Sequence, residues 1–331
     1  MNAFLSLVAV LAVLLAAYVG TGVLEARFLF GTVLPYAAIA TFLIGFIYRI
    51  VGWAKSPVPF RIPTTCGQQK SLEWIPSDRL DNPHDTIGVI GRLALEILCF
   101  RSLFRDTKME RHEEGSKVVY GPGLWLWIGA LAFHYSFLVI FVRHLRFFTE
   151  PVPYAVVLLQ RVDGFFQVGV PPVMATNLFF LAALVFLFAR RFWTPQLRYI
   201  SLASDYFPLF LLIGIAVTGV LLRHFVRTDI VNVKELGMGL VSFQPAIPKG
   251  IHWFFFLHLT LVATLLAYFP FSKLMHLGGV FLSPTRNLAN NNRMVRHINP
   301  WDAPVHVHTY EEYEDDFRDK MKAAGIPVEK E

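Results

Sequence analysis

Charge is scarce in this 331-residue chain: Asp, Glu, Lys and Arg together make up 16% of it, against about 25% in a soluble domain. That shortage excludes an ordinary water-soluble globule and points to a chain that meets lipid. Cysteine is scarcer still. Cys66 and Cys99 stand alone with no CxxC spacing, so the chain's own thiols cannot build a zinc or iron–sulfur site. A disulfide between them is disfavoured in a cytoplasmic loop, and Cys66, in TTCGQQK, reads as a buried or docking residue. There is no internal repeat and no low-complexity tract. The net charge of +6 does not signal nucleic-acid binding, because the basic residues sit in loops between apolar runs.

What is abundant is apolar: 55% hydrophobic residues, 15% aromatic, with 31 phenylalanines. Six runs have the roughly 20 residues that a bilayer requires, near 3–20, 30–51, 122–147, 173–190, 206–223 and 251–275. The first lacks a Lys or Arg n-region and outruns a typical leader h-region, so it reads as a retained helix. With the N-terminus inside, the inner segments carry 22 Lys and Arg and the outer ones 8, which satisfies the positive-inside rule with both termini cytoplasmic. The expected fold is therefore all-α: a polytopic bundle of six transmembrane helices in the cytoplasmic membrane. Its parts are an N-terminal helix and outer turn (1–29), a first core helix (30–52), a cytoplasmic loop (53–120), a transmembrane core (121–282) and a cytoplasmic tail (283–331).

Within the loop, Ile90, Leu93, Ile97, Phe100 and Phe104 recur at three-to-four spacing, with Arg92, Glu96 and Arg105 on the other side. This predicts an amphipathic interfacial helix capped by Asp85 or Thr86. TYEEYEDDFRDKMKAAG predicts a helix that starts at Thr309, carries its acids early and its lysines late, and stops at Gly325.

Histidine is the informative residue. Of eleven, His134 and His144 fall in the third run, and His258 and His276 in or at the end of the sixth. A single imidazole in a span often just hydrogen-bonds a neighbouring helix; two pairs on two helices suggest bis-histidine ligation of two haems. The third run travels outward and the sixth inward, so His134 pairs with His276 at the inner side and His144 with His258 at the outer side. The spacings correspond to rises of about 15 Å and about 27 Å. Their mismatch requires tilt or a kink, for which Pro270 provides a place. Using His252 instead of His258 would stretch the second rise to about 36 Å, longer than the hydrocarbon core.

With those ligands placed, the chain resembles the di-haem b pattern of the respiratory nitrate reductase gamma-subunit family, over five of the six spans from about 30 to 276. RIPTTCGQQKSLEWIPSDRLDNP and GVIGRLALEILCFRSLFRDTK are further similar to the DsrM-type membrane cytochrome b of the complex associated with dissimilatory sulfite reductase, over nearly the whole chain. The resemblance implies two haems b and exchangeable menaquinone or menaquinol. It also implies a cytoplasmic iron–sulfur partner resembling heterodisulfide reductase. Fuller complexes add a periplasmic multihaem cytochrome c, a periplasmic iron–sulfur protein and a second integral quinone-interacting subunit.

Nitrate reductase relatives hold quinol with an outer-loop lysine, yet no lysine occurs in 145–170. The outer polar candidates are Arg143, Arg161, Asp163, Arg223, His224 and His252, with Arg161 and His224 ahead as quinone contacts. Arginines there also snorkel or meet haem propionates, and Asp163 is expected to pair with Arg161. His306 and His308, alternating without a further clear ligand, read as a solvated loop and not as a metal site. The same di-haem core would also serve as the quinol-oxidising subunit of a nitrate reductase or heterodisulfide reductase complex, and two other classes stay open on the residues alone: a transporter using histidines as proton relays, and a non-redox anchor that recruits soluble subunits.

Overall fold

A computed structural model describes residues 2–58, 67–105, 107–111, 118–164, 171–298 and 304–330; Cys66 lies outside them. Six helices are long and apolar enough to cross a membrane: Asn2–Val23, Leu29–Ala54, Leu124–Phe147, Ala175–Trp193, Ala203–Val226 and Trp253–Phe271. Apart from a short antiparallel hairpin, Thr107–Arg111 with Val118–Pro122, the regular elements among the described residues are helical. The expected all-helical polytopic bundle is what forms.

The third span packs on the fourth, the fourth on the fifth, and the fifth on the sixth; the first wedges against the fifth and sixth, and the second lies along the sixth. The third and sixth spans are not among the extensively packed pairs. Close approach has a sequence cause at Gly129, where a Cβ would come within 2.7 Å of the Phe186 ring. Any larger side chain there would force the third and fourth spans apart.

Backbone polar groups in lipid need internal partners, and proline creates a deficit at two places. Pro208, inside the fifth span, has no N–H for the Ser204 carbonyl four residues back; the Tyr268 hydroxyl of the sixth span donates to that carbonyl instead, at 3.4 Å. Pro270 has a larger effect than the expected kink. The α-helix ends at Tyr268, a 3₁₀ turn covers Phe269–Phe271, and Ser272 is extended at φ −121°, ψ 175°. His276 therefore opens a separate short helix, His276–Gly279, off the axis that carries His258.

The loop helix spans Thr86–Cys99, with Asp85 at its N-cap accepting from Gly88 N at 2.7 Å. It stops earlier than its apolar spacing predicts, because Phe100 takes a left-handed φ of 51° before a final turn, Arg101–Phe104. Two aromatics of the third span meet its last carbonyls: Trp127 Nε1 donates to Cys99 and Tyr135 Oη to Leu98, each at 2.7 Å. Orphan carbonyls of a helix end are thereby satisfied by the neighbouring helix. Arg92, expected on the polar face, is buried, whereas Ile87 and Ile90 are exposed. Cys99 is a free thiol.

The C-terminal helix, Tyr310–Ala323, has the expected capping box between Thr309 and Glu312, and Gly325 ends it at φ +68°. The chain then folds back. Glu314 accepts the backbone N–H groups of Glu329 and Lys330, both at 2.8 Å, and Arg318 Nε at 3.3 Å, under a thin cover of returning chain. Those backbone donors first, and Arg318 after them, hold its carboxyl below the ordinary glutamate value of 4.5. A depressed carboxylate stabilises the fold above its unfolded pKa and loses that contribution as pH falls through its folded value. Amide protection of 326–330 is therefore expected to hold at neutral pH, to fall on acidification below the ordinary carboxylate range, and to be absent at neutral pH in Glu314→Gln. Hydrogen exchange on the full chain measures it, and pH-independent protection would refute the tether.

Candidate functional site

In lipid, an imidazole must account for two ring nitrogens. His134 Nδ1 lies 2.8 Å from the Ala130 carbonyl, one turn back on its own helix. His144 Nδ1 lies 2.7 Å from the Ile140 carbonyl, also four residues back. His276 repeats the arrangement over three residues, at 2.9 Å from Lys273 O. A carbonyl only accepts, so each Nδ1 carries the hydrogen.

His258 reaches the same state by another route. Thr218 Oγ1 gives its hydrogen to the Gly214 carbonyl at 2.7 Å, so at 2.9 Å from His258 Nδ1 it acts as acceptor. Four imidazoles on three helical segments thus share one tautomer, with Nε2 bare and directed away from its local partner. Among the described residues, no hydrogen bond is made to any of those four Nε2 atoms.

Two of the four stand close together. The His134 and His276 ring centroids are 6.0 Å apart with planes at 87°. Metal–imidazole bonds of about 2 Å on either side of one ion, plus the half-width of each ring, give a centroid separation of about 6 Å. The donor set and spacing therefore fit a metal ion that the two imidazoles would hold between them. His258 lies within electrostatic reach of His144. His144 is exposed at the end of its helix. Gly219 leaves room beside His258, where a Cβ would stand 3.3 Å from its ring.

The two ends differ. At the His134 end, Phe100 and Phe133 approach the ring edge-on, each at 4.9 Å. There a cavity of about 540 Å³ opens beside His276, with Arg49, Trp53, Glu96, Lys273 and Arg286 among its walls. Lys273 also bridges to Asp205 at 2.6 Å. At the His144 end, Arg143, Arg146 and Arg223 gather within electrostatic reach of one another. Arg146 Nη1 donates to Gln160 at 2.6 Å and Arg223 to the Pro172 carbonyl at 3.2 Å.

The expected Arg161–Asp163 pair does not form. Residues two apart on a helix face different ways, and on Tyr154–Asp163 the buried Asp163 pairs with Arg143 while Arg161 is exposed. Asp163 further accepts Thr176 N at 2.8 Å and Thr176 Oγ1 at 2.6 Å, and Arg143 reaches Asn177 Oδ1 at 3.4 Å. His224 is half-buried in the π-turn Leu222–Val226, and no contact joins it to Arg161 among the described residues. His252 is the N-cap of the sixth span and accepts Phe254 N at 3.2 Å. Thr218 and the Asp163–Thr176–Asn177 cluster were not foreseen; hydroxyls in spans are common, and nothing in their spacing singles these out.

A family described as nitrate reductase gamma subunit matches residues 94–297, which enclose His134, His144, His258 and His276. The chain belongs to that family. It is also 46% identical over 281 residues to a protein of Archaeoglobus fulgidus named Hdr-like menaquinol oxidoreductase cytochrome b-like subunit, covering 83% of each chain. A protein of the same name from Archaeoglobus profundus is 44% identical over 287 residues, covering 84% of each. Family and fold agree that this is a polytopic membrane protein.

Removing one partner of a buried ion pair leaves an uncompensated charge, at a cost of about 3–5 kcal/mol. Asp163→Ala is accordingly expected to lower the thermal midpoint in detergent sharply, whereas the double change Arg143→Met with Asp163→Leu recovers part of the loss. Equal midpoints for wild type and Asp163→Ala would show that the cluster carries no stability.

Proposed function

We propose that this chain is the membrane cytochrome b subunit of a menaquinol oxidoreductase. In this reading His134 with His276 and His144 with His258 hold two haems b through their Nε2 atoms. The observation that carries it is the common tautomer: four imidazoles, all with Nδ1 hydrogen-bonded and Nε2 bare, of which His134 and His276 stand with ring centroids 6.0 Å apart. Outer-shell acceptors of this kind fix ring orientation and make the ligand nitrogen more basic. When bound, haem supplies one-electron redox chemistry at its iron, compatible with the stepwise oxidation of a quinol.

The rest of the chain has roles that follow from its charges. At the His144 end, Arg143, Arg146 and Arg223 offer guanidinium donors to propionates or a quinone carbonyl, and Arg161 and His224 remain the contacts proposed for menaquinol. Asp163 holds Arg143 in place. At the His134 end, Arg49, Lys273 and Arg286 line an opening where anionic groups are favoured. The lysine and arginine bias supports placing that end and both termini in the cytoplasm, so the 53–120 loop and the 283–331 tail dock a cytoplasmic iron–sulfur subunit of heterodisulfide reductase type. The names of the two Archaeoglobus relatives support that partner. The loop motifs support a DsrM-type subunit in dissimilatory sulfur metabolism, with the periplasmic and second integral subunits as further partners.

The test is a haem count. Full-length protein in mild detergent is expected to give about two haems b per chain by pyridine haemochrome, falling to about one in His134→Ala and in His258→Ala. A folded wild type without haem would overturn the cytochrome reading. Thr218→Val, which removes the acceptor at His258 Nδ1, is expected to weaken haem retention at that pair about 10–100-fold, seen as faster transfer to apomyoglobin; an unchanged rate would remove Thr218 from the site. Co-purification with an iron–sulfur protein, lost on deletion of 283–331, tests the docking assignment.

A further inference from the structure

The tail contains a second set of nitrogen and oxygen donors, unrelated to the intramembrane histidines. His306 and His308 alternate on a non-helical stretch that leads into Thr309, the N-cap of the C-terminal helix. Their rings stand 4.8 Å apart at 78°. Sequence spacing offers two donors and no third. Folding provides the third: Glu312, in the first turn of the helix, brings a carboxylate oxygen to 3.9 Å from His308 Nδ1. One ligand atom from each of the three residues lies within 4.8 Å of the others.

We propose that His306, His308 and Glu312 form a binding site for a divalent transition metal of the zinc class. Two imidazoles and one carboxylate are a donor set that such borderline cations favour, whereas Mg²⁺ and Ca²⁺ select oxygen ligands. Bonds of about 2.0–2.1 Å in a tetrahedral arrangement place ligand atoms about 3.4 Å apart. Closing from the present spacing takes rotation of the His308 side chain, which is 59% exposed, toward a Glu312 carboxylate that the capping box holds. The Glu312 oxygen nearest His308 is Oε2, which also accepts Thr309 N at 2.9 Å in the capping box, so this one oxygen would serve the helix and the metal together.

Electrostatics at the site have two parts. A cation at a helix N-terminus is opposed by the macrodipole. Here Glu312 and Asp316 supply negative charge that offsets it, while Glu311 and Asp315 are largely spent on ion pairs with Lys330 and Arg318. Three protein donors leave at least one coordination position for water or for a donor from a docked protein. Occupied, the site clamps residues 306–308 onto the helix, so the capped end and the Glu314-tethered end of this cytoplasmic unit are both fixed. The inference does not depend on haem or on quinone.

The test uses the full-length protein in mild detergent, purified without a polyhistidine tag. After chelator treatment and dialysis, Zn²⁺ is titrated calorimetrically and bound zinc is counted by atomic emission. About one zinc per chain is expected, with binding weakened at least about tenfold in His308→Ala and in Glu312→Gln and unchanged in His297→Ala. Glutamine retains the capping-box acceptor, so the Glu312→Gln result separates ligation from folding. Zn²⁺ should also slow amide exchange across 304–312 in the wild type and not in His308→Ala. The proposal is overturned by the absence of saturable binding, by binding that survives His306→Ala with His308→Ala, or by Mg²⁺ competing as well as Zn²⁺.

Discussion

An imidazole in hydrocarbon cannot leave its N–H unpartnered, and this requirement organises the interior of the protein. His134 and His144 satisfy it with carbonyls one turn back on their own helix, which costs no second helix and leaves the outward nitrogen bare. His258 satisfies it across an interface, through a Thr218 hydroxyl already committed to Gly214. The local solution fixes a tautomer wherever the helix is intact. The non-local one also fixes the register of the fifth span against the sixth, since sliding either helix by a residue separates the pair.

The same demand explains contacts distant from those histidines. The Tyr268 hydroxyl meets the carbonyl that Pro208 leaves open. Trp127 and Tyr135 meet carbonyls at the end of the loop helix. In each case an aromatic residue on one helix completes the hydrogen bonding of another, so apolar packing and polar satisfaction come from the same side chain. Asp163 does this with charge. One buried carboxylate binds Arg143 of the third span and Thr176 of the fourth, and so joins three helices near His144.

Sequence alone revealed much of this plan. Spans are legible because length and apolarity are local properties, and the C-terminal helix because Thr309, Glu312 and Gly325 are local signals. The four histidines stood out because imidazole is rare at such depth. Residues that act through a partner remote in sequence were not legible. Asp163 lay near Arg161 in the sequence, but helical rotation turned the two apart, and its partner came from twenty residues earlier. Glu312 looked like a capping residue only; its approach to His308 depends on how the preceding stretch enters the helix. Pro270 signalled a bend without disclosing that the helix would stop.

That stop has a mechanical consequence. His144 and His258 ride on continuous helices gripped by several neighbours, so their separation is set by the body of the bundle. His276 instead sits on a short segment after an extended residue, anchored to the bundle through the Lys273–Asp205 bridge and followed directly by the tail. Its position is therefore set by a separate group of contacts, with Met275 buried and Gly278 close against Phe46 and Ile50 of the second span, and not by the rod that carries His258. The place of His276 is thus decided at the point where the chain leaves the bundle for the tail.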